Sequence, residues 1–262
     1  SMRKVLLTTL INILTTSVFA LSDSPRVYHA IKTISPITID GNAKEEEWLK
    51  AKWSDEFIDI EGDTRPKPAF STKMKMIWDE QYLYVFAKLE EPDLWGTLTK
   101  RDAIIFQDHD FEIFIDPDND TNEYTEIEIN TLGTIMDLFM TRSYKKGGPM
   151  DMNWDVKDLQ SAVMLKGTIN KNDDQDQYWT VEMAIPVSSL SKSGKVYTPV
   201  IGGFWRINFS RVQWLMEKDG ISYKKRTTKE GKRIPEQNWV WSPQGLIDMH
   251  IPEKWGYVYF IE

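Results

Sequence analysis

At 262 residues, with no cysteine, a formal net charge of −8 and a pI near 5.1, the chain has no disulfide framework, thiolate nucleophile or zinc–thiolate site to draw on. Its stability must come from a core, which a chain of this length can bury as one all-β domain. The acidic balance argues against a nucleic-acid partner, because such binding needs clustered Lys and Arg that release counterions. The one basic stretch, Lys224-Lys225-Arg226 with Lys229, Lys232 and Arg233, is broken by Thr, Glu and Gly and reads as a solvated loop.

From the N-terminus, Met2-Arg3-Lys4 leads into the apolar run Val5 to Leu14, and Val18 and Ala20 precede a candidate cleavage point. This predicts a secretory signal over residues 1–20, with Ser1 a cloning remnant, and a single mature domain over 21–262 that is periplasmic or secreted. The apolar run falls short of the ~20 residues that span a bilayer, so no stable membrane insertion is expected after cleavage. A turn at Asp40-Gly41-Asn42 precedes the one helix predicted, Ala43 to Ala51.

Period-2 alternation then recurs: Met74, Met76 and Trp78; Phe111, Ile113 and Ile115; Ile127 and Ile129; Trp179, Val181, Met183 and Ile185; Trp205, Ile207 and Phe209. Tyr82 to Lys88 is apolar on both faces, as a central strand covered on each side would be. Turns such as Gly147-Gly148-Pro149 and Asn172-Asp173-Asp174 separate the strands, and the longest polar connection, Glu217 to Asn238, reads as a loop. Together these predict an all-β fold, an antiparallel β-sandwich with long loops and one short helix.

Eleven Trp, 11 Phe and 10 Tyr offer flat apolar rings on which sugar faces stack. Trp78, Trp179 and Trp205 alternate with polar neighbours and belong to the core, whereas Trp95, Trp154, Trp239 and Trp241 lie in irregular context, where exposure is as open as burial. Glu112, Asn208 and Arg211 are placed on or beside strands; converged on one patch they would donate to and accept from vicinal hydroxyls. Apart, they are ordinary solvated positions. Asp116-Pro117-Asp118-Asn119-Asp120 sets hard oxygen ligands at alternate positions, the chemistry Ca2+ prefers, and equally reads as an acidic hairpin turn. It is no EF-hand, since Thr121 stands where that loop needs Gly and Ile127 where it needs Glu.

Ile39-Asp40-Gly41, Glu47-Trp48, Trp78-Asp79, Glu91-Pro92-Asp93, Asp108 to Asp116, Trp179 to Glu182, Gly203 to Phe209 and Trp241-Ser242-Pro243, in this order, resemble the family 9 carbohydrate-binding modules over about Ile37 to Phe260. The resemblance implies a β-sandwich with bound calcium and, in sugar-binding members, two aromatic rings that clamp a terminal sugar. It places one ring at Phe106, six residues before Glu112, and the second near Met249 or His250. It places an expected arginine at Glu128 and a polar reader at Asn208.

The sequence therefore points to non-catalytic carbohydrate binding at Phe106, Glu112, Trp154, Asn208, Arg211, Trp239, Trp241 and His250, with Ca2+ on Asp116, Asp118 and Asp120. Two other functions stay open: a glycoside hydrolase or lyase using paired carboxylates, and a haem-binding electron-transfer domain with Met249 or His250 as axial ligand.

Overall fold

The computed structural model describes residues 24–262, so the expected export signal lies outside the described residues. In chain order the elements are β1 (Val27–Lys32), α1 (Glu46–Lys50), β2 (Ile58–Asp59), β3 (Thr72–Trp78), β4 (Tyr82–Glu90), β5 (Asp110–Asp116), β6 (Tyr124–Asn130) and β7 (Ile135–Met140). There follow β8 (Met150–Asp151), β9 (Gln160–Lys166), β10 (Tyr178–Pro186), β11 (Phe204–Gln213), β12 (Met216–Asp219), β13 (Ser222–Lys225), β14 (Gln237–Val240) and β15 (Gly256–Ile261).

Thirteen of these strands form one curled sheet, whose main path runs β8-β7-β6-β5-β11-β15-β1-β3-β4-β10-β9. The apolar positions that alternate in sequence all turn to one side: Ile113 and Ile115 of β5, Ile127 and Ile129 of β6, Met74 and Met76 of β3, and Val181 and Met183 of β10 share a single core. The sheet is mixed, which corrects the antiparallel expectation. β1 runs parallel to both neighbours, β15 and β3. Strands joined by tight turns must be antiparallel, but β1 meets β15 from the opposite end of the chain and reaches β3 through a long crossover carrying α1, so neither pairing is bound by a hairpin.

β4 is covered on both faces, as its sequence predicts. Leu83, Val85, Ala87 and Leu89 enter the main core, while Tyr84 and Phe86 pack under Trp48 of α1. The helix is shorter than expected, because Ala43 sits at φ +49° and cannot begin it, and Ala51 is already extended. Glu182 of β10 locks this layer: its carboxylate accepts from Trp48 Nε1 (3.0 Å), Gly41 N (2.7 Å) and Asp40 N (3.0 Å). Glu182→Ala leaves three donors without that partner. At about 1 kcal/mol or more each, the expected loss is ~3 kcal/mol, a fall of roughly 6–12 °C in the thermal midpoint for a domain of this size; an unchanged melt would show the Glu182 contacts to be dispensable.

The connection from Glu217 to Asn238 is more ordered than a loop. It contains the β12–β13 hairpin and the start of β14, and Lys225 lies 3.5 Å over the Trp214 ring instead of standing free in solvent.

Candidate functional site

The face of β11, β5, β6 and β7 turned away from the core carries the polar half of the alternation. Cross-strand register aligns Ser210 with Glu112 and Glu112 with Glu128, and Phe114 with Glu126. Loops rise around this face and enclose a concavity of about 540 Å³. Glu112, Glu126 and Glu128 form its floor; Phe106, Tyr144 and His250 stand on its walls.

Each wall ring is held in place by its neighbours. Phe106 belongs to a short 3-10 turn, Ile105–Gln107, and its carbonyl accepts from Trp214 Nε1 at 2.9 Å. His250 meets Phe114 edge-on (ring centroids 5.5 Å apart) and Tyr144 at 4.5 Å. Its Nδ1 is 2.8 Å from the Tyr124 hydroxyl and its Nε2 3.3 Å from Glu126 Oε2. A proton on Nε2 serves Glu126 and leaves Nδ1 to accept from Tyr124. Neither nitrogen is then free for an axial bond to iron.

The floor is electrostatically costly. Burial, then the neighbouring charge of Glu126, pushes the Glu112 carboxyl up to about 8. Burial first and Glu112 second raise Asp110 and Glu128 well above the usual carboxylate range. Burial disfavours the His250 imidazolium, but the Glu126 carboxylate outweighs it and holds the pKa above the ordinary histidine value.

Of the eight residues expected from the sequence, Phe106, Glu112 and His250 line this concavity and the other five do not. The convergence of Glu112, Asn208 and Arg211 is corrected. Arg211 points to the opposite side of β11, where it is 1% exposed and donates to Thr72 Oγ1 (3.0 Å), Gln213 Oε1 (3.0 Å) and Glu91 Oε2 (3.2 Å). Asn208 is fully buried: Nδ2 donates to Ser242 O and Gln244 Oε1, and Oδ1 accepts from Ser242 N. Gln244 in turn donates to the carbonyls of Asp248 and Met249, so Asn208 positions the loop that carries His250 and has no donor left for a ligand.

Trp239, on β14, and Trp241, just beyond it, are buried in the main core. Trp241 lies against Gly256, where any side chain would collide with the indole. Trp95 is buried as well, and Trp154 is half-buried beside Phe139, outside the concavity. Asp108, a further acid of the central motif, caps the loop at Thr97 and Leu98 through their backbone N–H groups.

Sequence reasoning missed Tyr144, Glu126 and Gln244 as site residues. The alternation that sends Ile127 to the core also sends Glu126 and Glu128 to the concave face, so those two were readable; Tyr144 carries no such signal.

Asp116, Asp118 and Asp120 do come together, with carboxylate oxygens within 4.8 Å of one another. Asp116 is buried and accepts from the Asn119 and Thr121 N–H groups (3.1 and 2.9 Å), while Asp118 and Asp120 are exposed. Three hard oxygens in one turn suit a hard cation.

A smaller cavity of about 360 Å³ lies between Trp53 and Tyr178 on the outer face of β3 and β4, lined by Lys73, Lys88 and Glu90. It lacks the buried, convergent polar floor of the concave face. A concavity with aromatic walls and a polar floor, carried on a β-sheet, has the form of a ligand-binding site. The family profile described as carbohydrate family 9 binding domain-like matches residues 39–208, and the chain belongs to that family.

Solved structures agree at the level of fold. A Bacteroides uniformis protein proposed to bind carbohydrate superposes with a TM-score of 0.65 at 16% identity, covering 90% of this chain and 100% of that one. A family 9 module from Caldicellulosiruptor kristjanssonii in complex with cellotriose gives 0.56 at 17% identity, covering 90% and 94%. In sequence, endo-1,4-beta-xylanase C of Paenibacillus barcinonensis is 33% identical over 99 residues; the match takes in 37% of this chain and 8% of that enzyme.

Proposed function

We propose that the chain binds a glycan without catalysis, outside the cytoplasm, in the concavity between Phe106 and the His250–Tyr144 pair. The observation that carries this reading is the pairing of aromatic walls with the Glu112 floor in one cavity of about 540 Å³. The rings supply stacking area, and a carboxylate accepts from the hydroxyls that distinguish one sugar from another. The family supports it, as do the cellotriose and glucose complexes of the Caldicellulosiruptor kristjanssonii module. A β-linked glucan or xylan oligosaccharide is the ligand class to test first.

Hydrolysis is the competing reading, since Glu236 and Asp248 line the concavity beside the floor acids. A glycosidase sets two carboxyls on either side of the scissile bond, about 5–5.5 or 6.5–9.5 Å apart. Titration with cello- and xylo-oligosaccharides, followed by product analysis, tests both readings. Binding with intact oligosaccharide recovered is expected; released sugar would overturn the non-catalytic reading, and no binding across a broad glycan panel would overturn glycan recognition.

Ca2+ at Asp116, Asp118 and Asp120 is the proposed structural ion, pinning the turn between β5 and β6. An ion that binds only the native state raises stability by mass action, about 2.7 kcal/mol at a hundredfold excess over Kd. Chelation should therefore lower the melting midpoint of the wild type by more than that of an Asp118→Asn/Asp120→Asn variant. Equal melts with and without chelator in the wild type would remove the stabilising ion from this turn.

A further inference from the structure

Three clusters of acids among the described residues bring their oxygens within 4.8 Å of one another, and they are balanced differently. Asp102, Asp137 and Asp155 surround the Arg101 guanidinium, whose Nη1 lies 2.8, 3.0 and 2.7 Å from them, so that cluster carries its own cation. The Asp116 turn is supported by backbone N–H groups and opens to water. The third, Asp110, Glu112 and Glu128, is buried beneath the concavity, and no Lys or Arg among the described residues lines that cavity. Its nearby histidine, His250, is engaged by Glu126.

The buried oxygens of this cluster have unused capacity. Asp110 Oδ2 and Glu128 Oε2 have no hydrogen-bond partner, although their residues are 0% and 3% exposed. The hydroxyl of Ser210, directly opposite Glu112 in the β5–β11 ladder and also fully buried, is likewise unpartnered. Asp110 Oδ1 is fixed by the Val212 N–H at 3.0 Å, so the free oxygen belongs to an oriented carboxylate. Buried polar groups without partners are rare in folded proteins, and buried charges are normally paired or bound to metal.

We propose that Asp110, Glu112 and Glu128, with Ser210 as a neutral oxygen donor, form a divalent-cation site of the Ca2+ class in the floor of the concavity, with coordination positions left open to vicinal hydroxyls of a glycan. The glycan part of this proposal rests on the function proposed above; the ion site does not. Oxygens that bind Ca2+ lie about 2.3–2.6 Å from the ion, so donors across it stand roughly 5 Å apart, and carboxylate oxygens that all lie within 4.8 Å of one another can share one ion. A larger cationic ligand fits less well. Asp110 is fully buried and is not among the residues that line the open cavity, so a ligand resting in that cavity does not touch it. Glu112 and Glu128 line the same cavity as the rings of Phe106 and His250, where a sugar edge would sit.

The test is calorimetric titration of the chelator-stripped full chain with CaCl2, in the wild type, in Asp118→Asn/Asp120→Asn and in Glu128→Gln. Asp110→Asn is a second floor variant, and a melting curve in EDTA establishes that each protein is folded. One Ca2+ should persist in Asp118→Asn/Asp120→Asn and be lost from Glu128→Gln and Asp110→Asn. In the Asp118→Asn/Asp120→Asn background, cellotriose affinity should fall at least about tenfold when Ca2+ is removed. Unchanged Ca2+ stoichiometry in both floor variants, or no Ca2+ bound by Asp118→Asn/Asp120→Asn, overturns the ion site. Cellotriose bound equally with and without Ca2+ overturns hydroxyl coordination, and glucosamine bound more tightly than glucose in EDTA overturns the ion in favour of an amine. Ca2+ bound as expected with no glycan bound at all leaves the ion site standing and removes the glycan reading alone.

Discussion

Arg211→Ala should be among the most damaging single changes to this fold. The guanidinium sits 1% exposed between the Glu91 carboxylate (3.2 Å), Thr72 Oγ1, Gln213 Oε1 and the Glu90 carbonyl (2.7 Å), with the Trp239 ring 5.0 Å away. Removing it strands Glu91, itself 1% exposed, without its cation. Breaking a buried ion pair from one side costs about 3–5 kcal/mol, or a drop of roughly 6–20 °C in the melting midpoint. Glu91→Gln in the same chain, which removes the stranded charge, should restore part of that loss. A variant that melts like the wild type but binds glycan poorly would instead return Arg211 to the binding surface.

Glu112→Gln should have the opposite signature. The carboxyl lies on the floor of the concavity, and burial together with Glu126 makes its anion unfavourable in the free protein. The amide keeps the shape and removes the charge, so the melting midpoint should stay level or rise. A hydrogen bond between this neutral carboxyl and a sugar hydroxyl is worth about 0.5–1.5 kcal/mol, so glycan affinity should fall by roughly two- to tenfold. Calorimetric titration and a thermal melt on the same preparation separate the two effects. Lower stability with unchanged affinity would make Glu112 a structural residue.

The period-2 pattern made most of the sheet legible, because Ile113, Ile115, Ile127 and Ile129 could only be satisfied together, on one buried face. The same rule held a correction that the sequence reading did not apply: Asn208 and Arg211 are three residues apart on one strand and must face opposite ways. It also decides Trp239 and Trp241, two residues apart, which turn to the same buried side. The direction of β1 was not legible, since its partners are set by closure of the sheet and not by any local turn.

The candidate site was legible only along its strands. Glu112 could be read from the β5 motif and its family resemblance. The wall opposite Phe106 depends on loops: Tyr144 reaches His250 only because its 3-10 turn, Tyr144–Lys146, folds back beside the loop that Gln244 holds in place. No spacing in the sequence encodes that meeting. Trp rings in irregular segments were poor markers for a related reason. An indole in a segment that reads as irregular can enter the core as readily as it can face a ligand: Trp239 proves to lie on β14 and Trp241 just beyond it, and both are buried.

The most direct test of glycan recognition at the concave face is cellotriose titration of Phe106→Ala beside Trp53→Ala. Phe106 lines the concavity, while Trp53 lines the separate cavity beside Tyr178, so each variant removes an aromatic wall from one candidate only. Phe106→Ala should lose at least about 1 kcal/mol of binding, fivefold or more in affinity, with Trp53→Ala indistinguishable from the wild type. Full affinity in Phe106→Ala with loss in Trp53→Ala would contradict the assignment and move the binding site to the outer face of β3 and β4.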